Sequence, residues 1–164
     1  AGYPDGEGFP TFEILYNTNE SHQAIGEAIQ NMWKQALNID VSLQNEEWAV
    51  FLDTRSLGNF EVARHGWIGD YEDPINFLDM WYSTSGNNDC HWDNPEFDKH
   101  IDESRLTSGN ERDDHMLAAE KLMMDEAVVA PIYYYTKPAQ MNPALKGSYL
   151  SMLGYVYYEN SYFE

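Results

Sequence analysis

Apolar positions come first as a short unbroken run, then at helical spacing, then as short runs again. Phe12-Glu13-Ile14-Leu15-Tyr16-Asn17 reads as a strand, apolar enough to be covered on both faces. The polar stretch Thr18-Asn19-Glu20-Ser21 offers helix caps. From His22 to Leu37, Ile25, Ala28, Ile29, Met32, Trp33, Ala36 and Leu37 recur at the spacing of a helix that buries one stripe. Val41 and Leu43 mark a second strand. Trp48, Phe51 and Leu52 share one face of a second helix, and Gly58 suits the C′ position after it. Phe60 to Gly66 reads as a third strand. Strand, helix, strand, helix, strand is the signature of parallel crossovers, so the fold class is α/β.

Asp73-Pro74 and Asn94-Pro95 are both helix starts, a capping side chain followed by proline. The first helix should bury Phe77, Leu78 and Trp81, and the second Phe97 and Ile101. A longer helix from about Arg112 to Val128 puts Met116, Ala119, Met123 and Ala127 on one side. Val129-Ala130-Pro131-Ile132-Tyr133-Tyr134-Tyr135 then reads as an aromatic strand with at least one of its tyrosines in the core. The Tyr-rich tail from Gly154 to Glu164 looks strand-like without a partner inside the chain. Trp33, Trp48 and Trp81 sit at helical core spacing and read as packing.

Composition narrows the range of partners. A length of 164 residues suits one domain with a real core, and 15% aromatic content rules out a disordered acidic tail. Nine basic residues against 28 acidic ones give a formal charge of −19. Such a surface repels phosphate backbones and anionic headgroups, so no nucleic acid partner is expected. No apolar run approaches a membrane span. The lone Cys90 excludes an internal disulfide. The opening Ala1-Gly2-Tyr3-Pro4-Asp5-Gly6 reads as a loop in the middle of something longer.

The segment with the most chemistry is Arg64-His65-Gly66-Trp67-Ile68-Gly69-Asp70-Tyr71-Glu72-Asp73-Pro74. It starts at the carboxyl end of the third strand, where ligands sit in open α/β sheets. Its glycines let a backbone approach closely, and a carboxylate beside an indole suits an ammonium group. The structural alternatives are that Asp70 caps a turn before Pro74 and that Arg64 pairs with a carboxylate of the fold. His22, His65, His91, His100 and His115 form no helical i, i+4 pair and no Cys/His cluster at ligand spacing, so no metal site and no cofactor are expected. No nucleophile elbow or phosphate-cradling loop is present, and no catalytic residue is assigned.

In order along the chain stand Tyr16-Asn17-Thr18-Asn19, Met32-Trp33-Lys34, Glu47-Trp48, Ala63-Arg64, Gly66-Trp67, Gly69-Asp70-Tyr71-Glu72-Asp73-Pro74 and Pro131-Ile132-Tyr133-Tyr134-Tyr135, with the end at Tyr162-Phe163-Glu164. This ordered set resembles the oligopeptide-binding members of the extracytoplasmic solute-binding proteins of bacterial ABC importers. The resemblance implies one lobe of a type II periplasmic-binding-protein fold, a mixed sheet flanked by helices. Residues 1–164 would form a single C-terminal ligand-binding lobe of a longer two-lobe protein. Its partners would be short peptides, the N-terminal lobe of the same protein and a membrane permease. Its place would be the bacterial cell surface or periplasm, with a lipid anchor outside this stretch. Asp70 would pair with the peptide α-amino group and Arg64 with a peptide carboxylate. The backbone around Gly66 and Ile68 would bond the peptide like an added strand, and Trp67 and Tyr135 would border the site. Competing readings are a carrier for a dipeptide, nickel chelate or sugar, a hydrolase using Asp70, Glu72 and Asp73 with His65, and a stand-alone interaction module.

Overall fold

Four consecutive buried residues, Ile14, Leu15, Tyr16 and Asn17, put the first strand, β1 (Phe12–Asn17), in the middle of a three-stranded parallel sheet. β2 (Val41–Glu46) pairs with it in parallel from Phe12↔Val41 to Asn17↔Glu46, and β3 (Val62–Ala63) pairs along its other edge through Ile14↔Val62 and Leu15↔Ala63. The order β2-β1-β3 explains the sequence pattern. A central strand with neighbours on both edges and cover on both faces keeps no polar side. The computed structural model describes residues 2–164. They form two compact units, one running through Gly66 with Gly86–Trp92 added, the other made of Trp67–Ser85 and Asp93–Glu164.

In the first unit, α1 (Glu20–Leu37) connects β1 to β2, and α2 (Trp48–Ser56) connects β2 to β3. Asn19 caps α1, its side chain accepting from the N–H groups of Ser21 (2.9 Å) and His22 (3.2 Å). The core joins Ile14, Ile39 and Val41 to Phe9, Phe12, Ile29, Trp33, Leu43 and Val62. Phe51 of α2 is fully buried, with Trp48 stacked on its ring at 5.8 Å and itself half exposed. Gly58 follows α2 with φ +68°, and its N–H bonds the Arg55 carbonyl at 2.9 Å, the left-handed C′ position expected of it.

Two expectations need correction here. The α1 stripe is only partly covered: Ile25, Ile29 and Trp33 are half-buried, while Ala28, Met32, Ala36 and Leu37 are exposed. One helix on a three-stranded sheet covers little more than an i, i+4, i+8 line of its own surface. The third strand is two residues long, although the Arg64 N–H still bonds the Leu15 carbonyl at 2.8 Å. Two glycines and a polar loop follow, and they leave the ladder early.

In the second unit, α3 (Ile75–Leu78) and a 3-10 turn, Asp79–Trp81, follow Asp73-Pro74. The Asp73 carboxylate accepts from the Ile75 N–H at 2.9 Å and from Arg112 Nη2 at 2.7 Å. Leu78 and Trp81 are buried as expected, whereas Phe77 is half exposed. α4 (Pro95–Leu106) and α5 (Asn110–Asp125) pack as a helical hairpin. Asn94 caps α4 by accepting from the N–H groups of Glu96 and Phe97, both at 3.0 Å. Phe97, Ile101 and Ala119 are fully buried, with Met116 and Met123 beside them in the core. Ala127 lies beyond the end of α5 at φ +54° and is exposed, so the helix is shorter than its apolar spacing suggested.

The last third of the chain departs most from expectation. Residues 129–135 form no strand, and Tyr133, Tyr134 and Tyr135 are all exposed, at 49%, 96% and 53%. An extended segment becomes a strand only when a neighbour pairs with it in a ladder, and this one belongs to no sheet among the described residues. The Tyr-rich tail does find partners within the chain. β4 (Leu145–Lys146) pairs with β7 (Tyr162–Phe163), and β5 (Tyr149–Leu150) with β6 (Val156–Tyr157), both antiparallel. Tyr149 and Tyr157 stack with ring centroids 4.8 Å apart. Such two-residue ladders are too short to announce themselves by periodicity. No described helix is long and apolar enough to cross a membrane.

Phe97 lies at 0% exposure in the α4–α5 core. Truncation to alanine removes its buried surface and leaves a cavity, so Phe97→Ala should cost about 3–5 kcal/mol in urea unfolding.

Candidate functional site

The sheet topology picks out a location before any side chain is considered. The chain leaves β1 toward β2 on one edge and then crosses to β3 on the other. In an open α/β sheet the crevice forms where the order reverses, at the carboxyl ends of the strands. In the first unit those ends carry Asn17 from β1, Glu46 from β2 and Arg64 after β3. Asn17 is buried at 8% exposure, and its Oδ1 has no hydrogen-bond partner among the described residues. Glu46 accepts from Gln44 at 2.9 Å through Oε1, while its Oε2 is buried without a partner.

Basic side chains gather at the same end. His22, in the first turn of α1, bonds the Asn17 backbone. Burial holds its pKa below the ordinary histidine value, the nearby Arg64 charge pushes the same way, and the Asn17 bond opposes them. His65 is driven down to about 4, first by burial, then by the Arg55 charge, with Asp89 opposing and Arg64 adding to the depression. Arg55 and Asp89 form a tight, mostly buried ion pair, and the Arg55 guanidinium also lies over the Phe51 ring at 5.4 Å. Arg64 is half-buried, and its charge disfavours protonation of both histidines. Sequence reasoning named Arg64 and passed over Asn17 and His22. A polar amide closing an otherwise apolar central strand was the signal available for Asn17.

The second unit opens with the loop that follows Gly66. Trp67 is half-buried and donates its indole N–H to Asn76 Oδ1 at 2.9 Å. The Asp70 N–H donates to the same oxygen at 3.1 Å. Asn76, at 4% exposure, thus staples the loop from beneath. Gly69 is buried between these anchors, and a Cβ there would meet the Phe77 ring at 3.2 Å, a contact that the half-exposed ring would have to shift to accept. The Asp70 carboxylate is exposed and makes no side-chain hydrogen bond or ion pair with any described residue. Asp73, by contrast, is committed to structure. The Arg112 hydrogen bond, the Ile75 N–H and the Arg112 charge lower its pKa against a small burial effect. Gly66 and Ile68 are exposed, and neither enters a backbone ladder. Tyr135 lies on the exposed 131–140 segment, its ring edge-on to Tyr133 at 4.9 Å. No group of three or more metal-ligating side chains occurs among the described residues.

The structure superposes on that of Haemophilus influenzae OppA in complex with the peptide RPPGFSPFR, with a TM-score of 0.79 and 36% identity, covering 89% of this chain and 29% of that one. The fold is thus that of the periplasmic solute-binding proteins, a class defined by capture of a ligand. More particularly, the chain belongs to the bacterial extracellular solute-binding proteins of family 5: residues 1–89 match the model of that family's middle region. The oligopeptide-binding protein OppA of Bacillus subtilis is 41% identical over 94% of the chain. The periplasmic murein peptide-binding protein MppA of Escherichia coli is 44% identical over 82% of it. The chain spans 29% and 25% of the length of these two relatives.

The depressed His65 pKa sets a pH dependence. Between about 6.5 and 4 the unfolded chain takes up a proton that the folded ring refuses, so stability is full above pH 6.5 and falls as pH drops through that window. Urea midpoints should report a loss of roughly 2 kcal/mol between pH 7 and 4.5, and His65→Gln should flatten most of that slope.

Proposed function

We propose that the chain is the peptide-capturing part of an extracytoplasmic receptor serving a bacterial ABC importer, and that it binds without catalysing a reaction. The observation that carries this reading is the state of the Asp70 loop. Its backbone is fixed by Asn76 and Gly69, while its carboxylate is exposed and uncommitted. A pre-positioned anion with no internal partner suits the α-amino group of a peptide, which it would hold by a charge-assisted hydrogen bond. In the first unit Arg64, half-buried at the end of the sheet, is a separate candidate for pairing with a peptide carboxylate.

The unpaired main chain at Gly66 and Ile68 suits the bonding of a peptide spine as an added strand, and Trp67 and Tyr135 would border it. In this reading the rest of the binding surface, a first lobe, a permease and a lipid attachment would belong to a longer two-lobe protein, in keeping with relatives more than three times as long as this chain. A hydrolytic role for the acidic cluster finds less support. A general acid needs a raised pKa, and Asp73 is pushed the other way by Arg112.

The test uses the intact two-lobe protein and calorimetric titration with a defined tetrapeptide, free or N-acetylated. Asp70→Asn should weaken binding of the free peptide about 10–100-fold, the worth of one hydrogen bond to a charged group. The same change should leave the acetylated peptide nearly unaffected. Equal affinity of wild type and variant for the free peptide would remove the role of Asp70. Indifference of the wild type to acetylation would favour another solute, such as a sugar or metal chelate.

A further inference from the structure

The α4–α5 hairpin carries a pair of side chains that peptide capture does not use. His100 from α4 and His115 from α5 face each other with their Nδ1 atoms 3.0 Å apart, ring centroids at 5.3 Å and planes tilted by 46°. Both are half-buried. At that separation one Nδ1–H must donate to the lone pair of the other ring, so the pair shares one proton. Fully buried Phe97, Ile101 and Ala119, with buried Met116, lie within a turn of the two histidines along their helices and fix the backbones that present them.

The distance has a second meaning. Imidazole nitrogens bind divalent transition metals at about 2.0–2.1 Å. Two such bonds at a right angle span about 2.9 Å, and at the tetrahedral angle about 3.3 Å. The observed 3.0 Å sits at the right-angle end, which square-planar and octahedral ions such as Cu(II) and Ni(II) prefer. We propose that His100 and His115 form a two-histidine chelate for a divalent transition-metal ion. The ion takes the place of the shared proton, which passes through solvent to the Nε2 of the donor ring, so both ligands stay neutral imidazoles, and small rotations about the Cβ–Cγ bonds bring both Nδ1 lone pairs onto the ion.

No third His, Cys, Asp or Glu completes a cluster there among the described residues. Water fills the other coordination positions, and loading is reversible. Glu96 and Glu103 on α4 and Glu111 on α5 stand one helical turn from the histidines, and the net charge of −19 concentrates cations near the surface. Imidazole ligation excludes calcium and magnesium, which require oxygen donors.

The experiment is a calorimetric titration of NiCl2 into the chain in excess magnesium, which occupies the loose carboxylate sites. One ion per chain should bind. His100→Ala and His115→Ala should each weaken binding tenfold or more, and the double substitution little further, because a single remaining imidazole no longer chelates. Binding within threefold of wild type in either single variant, or no binding to the wild type, overturns the proposal. The Cu(II) electron paramagnetic resonance spectrum of the wild type gives a readout independent of how the variants fold. Hyperfine splitting from two imidazole nitrogens is expected, and its absence overturns the proposal equally.

Discussion

Everything that gives the first unit its chemistry depends on the parallel pairing of β1 with strands on both of its edges. The register Asn17↔Glu46 and the bond from the Arg64 N–H to the Leu15 carbonyl bring three chain segments to one end of the sheet. None of the residues there is near another in sequence. Asn17, Glu46 and Arg64 become neighbours because a central apolar strand can satisfy its backbone only between two partners. The reversal of direction at β1 falls at that end, where open α/β sheets place their ligand crevices. A substitution that weakened the apolar run Ile14-Leu15-Tyr16 would disperse the site without touching any residue of it.

Electrostatics sharpen what topology gathers. The chain is strongly acidic, yet at the end of the sheet Arg64 acts on two histidines, and Arg55 stands against buried Asp89. Burying a cation without a partner is expensive, and the fold meets this cost in two ways. Arg55 receives a carboxylate and an aromatic face. At His22 and His65 burial leads, and the Arg64 charge adds, in disfavouring the protonated ring. In the second unit two carboxylates differ: Asp73 is bound to Arg112 and tied into the fold, while Asp70, three residues earlier, is exposed and anchored only through its backbone N–H.

Much of this was legible in the sequence where a single physical requirement dominated. The run at residues 12–17, the caps at Asn19 and Asn94 and the glycine at 58 each answer to local chemistry, and the structure contains all of them. Legibility failed where the deciding partner lay far along the chain. The Tyr133-Tyr134-Tyr135 segment has the composition of a strand and no ladder to join, whereas the unremarked Leu145–Lys146 becomes a strand by pairing with Tyr162–Phe163. The α1 stripe overstated burial for a related reason, since periodicity says which face is apolar and not how much surface is available to cover it. The Asp70 loop could be singled out by residue type, but the amide that fixes it, Asn76, is an ordinary helix residue until its two donors are seen.

That division separates what a group is from what places it. Residue type alone marks the carboxylate of Asp70 and the glycine at 69. The fold alone shows the Asn76 amide that accepts both the Trp67 indole N–H and the Asp70 N–H in the second unit, and the Asn17 carbonyl buried without a partner among the described residues in the first. An amide oxygen with two donors fixes the backbone of its loop while the neighbouring carboxylate stays in solvent, so the loop keeps its shape whether or not that carboxylate finds a partner.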